Sequence, residues 1–597
     1  MPGITGFVAA RPGPSHSSML EEMTGCLRHE PFYTSGTLRE EGVGLGVGWA
    51  CHQGAFCDCL PIWNSRNDLA LIFVGEHFAH GGPGSENAVG LLQRYEDEGE
   101  KFFEQLNGWF AGILLDLRRR TVVLFNDRYG MGRVYYHENA DGFFFSSEAK
   151  ALLRVLPGLR RLDEAGLGEF FACGCPLQNR TLFAGVSLLP SGAKWTFSPS
   201  GQVRKESLFH TNIWEQQSHL SNGEFGEKLK GTLGRVIPRY FQGRQPVGMS
   251  LTGGLDGRMI MTWASRPPGT LRCYSFNGPY RDCADVTIAR AVAAACGQPH
   301  EVIPVGDRFL AEFPALAEKT VFLTDGAMDV TGAVELYVNR QARDIAPVRL
   351  TGNYGSEILR ANVAFRPGLL PEELFSSEMN LRLREAAAAY HAATVGNRLS
   401  FIACKQVPWH HWARFAVEQS QLTVRSPYLD NELVALAYQA PPRFGAGPEP
   451  LMRLIAETRP ALARIPTDRG CTYPARGGLN KLRRMCREFL ARAEYAYDYG
   501  MPQWAARLDH ALGALHLERL FLGRQKFYHF RVWYRDRLAS YLKEVLLDQR
   551  TLARPYLNGR RVEAAVMAHI RGTRNYTVPI HKMLTVELLQ RRLLEQT

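Results

Sequence analysis

The chain has 597 residues, enough for two or three domains, and its 45% hydrophobic and 22% charged content is that of a globular protein rather than a disordered one. No apolar run approaches the roughly 20 residues of a membrane helix. The N-terminus shows no basic stretch followed by an apolar one, so the cytosol is the expected compartment, with the twelve cysteines reduced. A net charge of +11 would suit nucleic acid, but the basic residues gather in helical stretches such as "KLRRMCREFLARAEY" rather than in a tract with interleaved aromatics. Neither nucleic acid nor membrane is therefore an expected partner. A solvated helix face and a surface for an acidic partner both remain open. Cys57/Cys59 and Cys173/Cys175 have C-x-C spacing without a matching ligand cluster and read as buried thiols.

In chain order, residues 1 to about 205 read as strands: "GITGF", "DLALIFVGEHF", "WFAGILLDL" and "TVVLFNDR". "RVYYHENADGFFFSSEAKALLRVL" reads as a hairpin followed by a helix. From about 206 to 475 helix and strand alternate. "GEFGEKLKGTLGRVIPRYF" is an amphipathic helix and "PVGMSLTGG" a strand entering a glycine turn. "LRCYSFNG" and "HEVIPV" are further strands, separated by the helix "ADVTIARAVAAAC". Such alternation predicts a parallel α/β sheet. Residues 476–597 read as a helical, Arg-rich extension.

The chemistry lies in "MSLTGGLDGRMI". A glycine pair at a strand-to-helix junction lets backbone N–H groups converge on an anion. No Gly-Lys-Ser/Thr follows, so it is not a Walker A loop. Asp256 would repel a phosphate unless magnesium bridges the two. "VRLTGNYGSEILR" repeats the logic: an apolar strand, Thr351-Gly352, then Gly355-Ser356 and the acid Glu357 opening a helix. Two such junctions in one parallel sheet point to the same edge, where ligands of open α/β sheets bind. Asp256 and Glu357 could there share magnesium on pyrophosphate.

These stretches resemble the asparagine synthetase family. "SLTGGLDGR" is similar to its pyrophosphate loop, Ser-Gly-Gly-Leu-Asp-Ser, and "LTGNYGSE" to its Ser-Gly-Glu-Gly-Ser-Asp loop. "YSFNGPYRDCADVTIARAVAAACGQPH", ending in His300, resembles the segment between them, and "VRSPYLDNELVALA" the Arg-x-Pro-Phe-Leu-Asp motif. "GITGF", "LNGWFAGILLD", "NDRYGMGRVYY" and "SSEAKALL" resemble the family's N-terminal-nucleophile amidase. The resemblance implies an α/β chain. An αββα amidotransferase-like domain (1–205) would precede a doubly wound, parallel-sheet ATP-binding ligase domain (206–475) and the helical extension. It also implies that ATP, with Mg²⁺, activates a carboxylate as an acyl-adenylate, which ammonia or an amine then attacks. Small-molecule or peptide carboxylates and amines are the implied substrates, and a homodimer is compatible with it. The implied ATP-binding residues are Leu251, Thr252, Gly253, Gly254, Leu255, Asp256, Gly257, Arg258, Ser275, Thr351 and Gly352. The implied metal ligands are Asp256 and Glu357.

Several positions depart from the family pattern. Glutamine-using members attack the amide with an N-terminal cysteine, whereas here Pro2 stands next to the initiator methionine and has no nucleophilic side chain. The Asn-Gly-Glu oxyanion motif becomes Val74-Gly75-Glu76. The Arg-Gly-Pro-Asp motif becomes "RHEP", starting at Arg28, and Ser-Asp-x-Glu becomes "SENA", with Glu86 and Ala88. The expectation is a vestigial amidase kept as scaffold. In the synthetase half the second loop is one residue longer. Tyr354 falls where asparagine synthetases have a glutamate and β-lactam synthetases a tyrosine, so a proton-relay role and a packed core role both stand. Glu-x-Arg-x-Pro becomes Thr423-Val424-Arg425-Ser426-Pro427 and loses an acid. The Arg-x-Lys-x-Gly motif is placed at "PTDRGCTYP", with Arg469 as the substitute cation and Thr467–Gly470 as a site loop. The expected function is an ATP-dependent amide ligase that does not hydrolyse glutamine. The alternatives are a nucleotide-binding scaffold that has lost ligation, and transfer of the adenylate to a non-amine acceptor.

Overall fold

The computed structural model describes all residues except 12–15, 80–86, 200, 369, 475–476, 512–517, 519–521 and 596–597, and only the backbone of 477–484. The N-terminal part holds twelve strands. They are β1 (Gly3–Ala9), β2 (Tyr33–Glu40), β3 (Leu45–His52), β4 (Ile62–Trp63), β5 (Leu69–Gly75) and β6 (Phe110–Asp116), then β7 (Thr121–Asn126), β8 (Tyr135–Asn139), β9 (Gly142–Ser146), β10 (Ser187–Leu188), β11 (Ala193–Phe197) and β12 (Val203–Ser207). They form two six-stranded antiparallel sheets, ordered β10-β8-β9-β1-β3-β2 and β12-β11-β7-β6-β5-β4. The alternation of β5 shows why they stack. Ala70, Ile72 and Val74 join Ile4, Val47 and Phe145 between the sheets. Leu69, Leu71 and Phe73 point the other way, onto Leu91, Leu92 and Phe102 of the helices that cover the outer face. A strand covered on both faces carries an unbroken apolar run, which is what "LALIFV" is. Helices His16–Cys26 and Ala149–Val155 cover the other sheet, giving the αββα layering.

The second sheet system is parallel throughout: β13 (Val247–Ser250), β14 (Cys273–Asn277), β15 (His300–Pro304), β16 (Val348–Thr351) and β17 (Thr423–Arg425). Its order is β15-β14-β13-β16-β17. The chain winds outward from β13 on one side, then returns to add β16 and β17 on the other. The switch point falls between β13 and β16, where Ser250 pairs with Thr351. The loops leaving these two strands are therefore side by side.

The helical C-terminal region is not peripheral. Every residue of helix Thr577–Leu589 except Val578 is buried. The Lys582 ammonium donates to the Phe171 carbonyl at 2.5 Å, and Thr585 Oγ1 accepts from the Val330 N–H at 3.0 Å. The N-terminal and parallel-sheet parts are locked by buried polar contacts. Asp325 caps helix Ala149–Val155 through the N–H groups of Ala149 (2.6 Å) and Lys150 (3.2 Å), a carboxylate at a helix N-terminus. Asn107 donates to Asp430 at 2.9 Å and accepts from the Asn431 N–H at 2.9 Å. No helix among the described residues is long and apolar enough to cross a membrane.

Candidate active site

The loop after β13 leads into helix Leu255–Trp263, with Gly254 at its N-cap. Leu251 and Leu255 anchor it in the core, and Thr252 is exposed. The Ser275 hydroxyl donates to the Leu251 carbonyl at 2.9 Å and meets His300 Nε2 at 2.7 Å, tying β14 and β15 to the loop. The loop after β16 contains Thr351, Gly352, Asn353 and Tyr354, then enters the short helix Gly355–Arg360. Glycine is required here by close approach. A Cβ on Gly352 would lie 2.5 Å from the Gly257 nitrogen, and one on Gly355 2.6 Å from both Cβ and Cγ of Asp256. Gly257 itself has room, its nearest neighbour being Leu251 Cδ2 at 3.5 Å.

This contact gathers carboxylates. Burial pushes the Asp256 carboxyl up to about 6; Glu357 and Asp468 push the same way, against the nearby Arg360 guanidinium. Arg360 Nη2 reaches both Asp256 oxygens, at 3.3 and 3.1 Å. Glu357 accepts from the Ser356 hydroxyl at 2.8 Å. Asp285 accepts the Gly253 N–H at 2.7 Å and is likewise raised to about 6, chiefly by burial. The donor set fits a hard cation: two carboxylates beside a phosphate-sized loop is how magnesium is usually held. Among the described residues no group of three or more metal-ligating side chains exists, so substrate oxygens would have to complete such a shell.

Some expected residues sit elsewhere. The Arg258 side chain turns inward and donates to the carbonyls of Leu462 (3.1 Å), Ile465 and Pro466 (3.0 Å), leaving it no role at phosphate. It fixes the segment preceding Thr467–Gly470, whose Asp468 N–H reaches the Gly253 carbonyl at 2.9 Å. That turn does abut the glycine loop. Arg469 pairs with Asp468 at 3.5 Å and is half exposed. The proton-relay reading of Tyr354 meets a physical obstacle. The ring is 1% exposed, stacked on Phe415 at 5.1 Å and edge-on to Trp109 at 6.0 Å. Its hydroxyl points to the Met131 sulfur at 3.5 Å, and burial holds its pKa well above the ordinary phenol range, making it a poorer acid. It is a packed core residue, held at φ 72° in the left-handed region.

A cation that sequence reasoning missed lies in the C-terminal region. Residues 523–529 dock on the carboxyl end of β14. The Arg524 carbonyl accepts the Ala284 N–H at 2.8 Å, and Phe527 packs on Phe276 at 5.7 Å. The Lys526 ammonium, 1% exposed, pairs with Asp498 at 2.7 Å among the rings of Tyr495, Tyr499 and Tyr528. Arg524-Gln525-Lys526 spells an Arg-x-Lys, which the Thr467–Gly470 turn lacks. The spacing was available in the sequence, but the helical, Arg-rich surroundings hid it.

In the N-terminal part a buried charge cluster surrounds the chain start. The Met1 amine pairs with Glu148, which also binds Lys150 and accepts from His29 at 2.8 Å. Pro2, Val74, Gly75 and Glu76 line a cavity of about 80 Å³, room for a few waters. Glu76 is spent on Arg425, in a bidentate pair at 2.8 and 2.5 Å. Arg28, which opens the altered Arg-Gly-Pro-Asp motif, is exposed and outside this cavity. Glu86 lies outside the described residues.

Comparison with known proteins agrees with this geometry. Residues 84–208 match the glutamine amidotransferase domain family and residues 228–406 the asparagine synthase family. The chain is 23% identical over 313 residues to asparagine synthetase [glutamine-hydrolyzing] 1 of Bacillus subtilis, covering 52% of this chain and 48% of that one. It is 32% identical over 218 residues to asparagine synthetase [glutamine-hydrolyzing] 3 of Arabidopsis thaliana, covering 34% and 32%. It is 23% identical over 308 residues to the amidase chyE of Penicillium rubens, covering 48% and 45%. The chain thus spans less than half the length of each of these relatives. The two domain matches and the synthetase relatives give the chain the pairing of an amidotransferase-like part with an asparagine-synthase-like part, and they support membership of the asparagine synthetase family.

Proposed function

We propose that the protein is an ATP-dependent, AMP-forming amide ligase that takes ammonia or an amine directly rather than from glutamine. The observation that carries this is the backbone contact of Gly352 and Gly355 with Asp256 and Gly257, which sets two acidic loop ends beside the Gly253–Gly254 turn at the sheet's switch point. In the proposed reaction a substrate carboxylate oxygen attacks the α-phosphorus of ATP and pyrophosphate leaves. The amine nitrogen then attacks the acyl carbon, AMP leaves, and the nitrogen loses a proton. The Gly253 and Gly254 amides and the helix behind them would hold the pyrophosphate. Asp256 and Glu357 would hold Mg²⁺, which offsets charge on the leaving group. Lys526 and Arg469 are the candidate cations for the adenylation step.

Glutamine is set aside on three grounds. Pro2 offers no nucleophile, Val74 no oxyanion amide, and Glu76 is committed to Arg425. One observation favours the second reading, a nucleotide-binding scaffold: Asp285 already takes the Gly253 N–H that a phosphate would need. The discriminating experiment is carboxylate-dependent ATP–pyrophosphate exchange over a panel beginning with aspartate. A ligase exchanges label with at least one carboxylate. A scaffold binds Mg-ATP without any exchange.

A further inference from the structure

A second cavity lies apart from the glycine loops and adjoins the cavity of the amidase half, Arg133 lining both. It is an open cleft of about 650 Å³ between the N-terminal sheets and the helical segment 389–409, within the size range of small-ligand sites. Arg128, Arg133, Lys405 and His210 contribute to its walls, and no Asp or Glu does. None of the residues of the two glycine loops lines it.

The cations are not neutralised within the fold. Arg133 is 8% exposed, stacks over Trp412 at 3.8 Å and donates to the Pro408 carbonyl at 2.6 Å. Arg128 lies over Phe209 at 4.3 Å and donates to the Glu104 carbonyl at 3.1 Å. Lys405 donates to the Ala393 carbonyl at 2.9 Å. Among the described residues none of the three has a carboxylate within ion-pair distance. Arg133 is buried and Arg128 and Lys405 are partly exposed, and their carbonyl, hydroxyl and ring partners leave the three positive charges of this wall without a counter-ion. The floor is itself unusual. Cys404, Lys405, Pro408 and Trp409 belong to a π-helical run, Ile402–His411, a conformation concentrated at functional positions.

We propose that this interdomain cleft binds a small multivalent anion, a carboxylate- or phosphate-bearing molecule, independently of the nucleotide site. Calorimetric titration of the full chain at low salt, without nucleotide or magnesium, tests it with citrate as the carboxylate probe and 2,3-bisphosphoglycerate as the phosphate probe. At least one should bind with 1:1 stoichiometry and a Kd of about 1 mM or tighter, and whichever binds identifies the chemical source. Lys405→Gln and Arg128→Gln should each weaken it at least tenfold, about 1.4 kcal/mol. Asp256→Asn should leave it unchanged. Arg133 is left intact because it also holds Pro408. If one variant fails to fold, as its thermal transition would show, the other decides. Absence of binding by both probes overturns the proposal. So does binding that survives substitution of the folded variants, or binding abolished by Asp256→Asn.

Discussion

Asp256 should set the pH dependence of nucleotide binding. Its folded-state value of about 6 lies above the ordinary 3.8, because burial and neighbouring carboxylates disfavour the anion. This group's contribution to folding stability is therefore greatest at low pH. It falls as pH rises from about 4 to 6 and is level beyond. Mg-ATP needs the anion, so affinity should rise with pH through about 6 and then level off, while Asp256→Asn should bind weakly and without that rise. Calorimetry at pH 5, 6 and 7 reads both, and a wild-type affinity flat over the range would remove Asp256 from the site. Tyr354 makes the opposite case. Removing its hydroxyl costs one bond to sulfur, so Tyr354→Phe should keep product formation within about threefold and lose no more than about 1 kcal/mol in denaturant unfolding. A hundredfold loss of product would restore the proton-relay role. The sequence named Tyr354 and Asp256 equally well. It could not tell that one turns into the core and the other toward the loop contact, because that direction is set by which partners close over each.

At the scale of elements, the two glycine loops behave as one unit. Gly355→Ala would push a methyl into Asp256, so a loss of about 1–3 kcal/mol in stability is expected, with weakened Mg-ATP binding. Gly257→Ala meets only ordinary van der Waals contacts in a helix and should be neutral or stabilising by up to about 1 kcal/mol. Equal effects of the two in thermal unfolding and calorimetry would deny the loop contact. The Glu76–Arg425 pair binds the N-terminal sheets to β17. Arg425 is buried and Glu76 partly so, so Glu76→Ala should leave a buried guanidinium without its carboxylate and cost about 3 kcal/mol, read from urea unfolding; a cost under 1 kcal/mol would make the pair incidental. The strands were readable from apolar runs such as "LALIFV" because both faces of β5 are covered. The conversion of Glu76 from substrate contact to strut was not, since Arg425 is 349 residues away in the chain.

At the scale of the molecule, the parallel sheet and its switch point were legible because each glycine turn is written beside its strand. The role of residues 476–597 was not. Helix Thr577–Leu589 is apolar or neutral on nearly all sides because it runs through the core, and the Lys526 segment reaches β14 only through tertiary docking. The proposed activity joins a carboxylate to ammonia or an amine at the expense of ATP, without cutting glutamine. The most direct measurement follows pyrophosphate, amide and glutamate together in one reaction of the full chain with Mg-ATP, an active carboxylate, and either ammonium or glutamine as nitrogen source. Pyrophosphate and amide are expected with ammonium, both lost in Asp256→Ala, and no glutamate with glutamine. Glutamate released above the enzyme-free blank, with amide formed from glutamine alone, would contradict it.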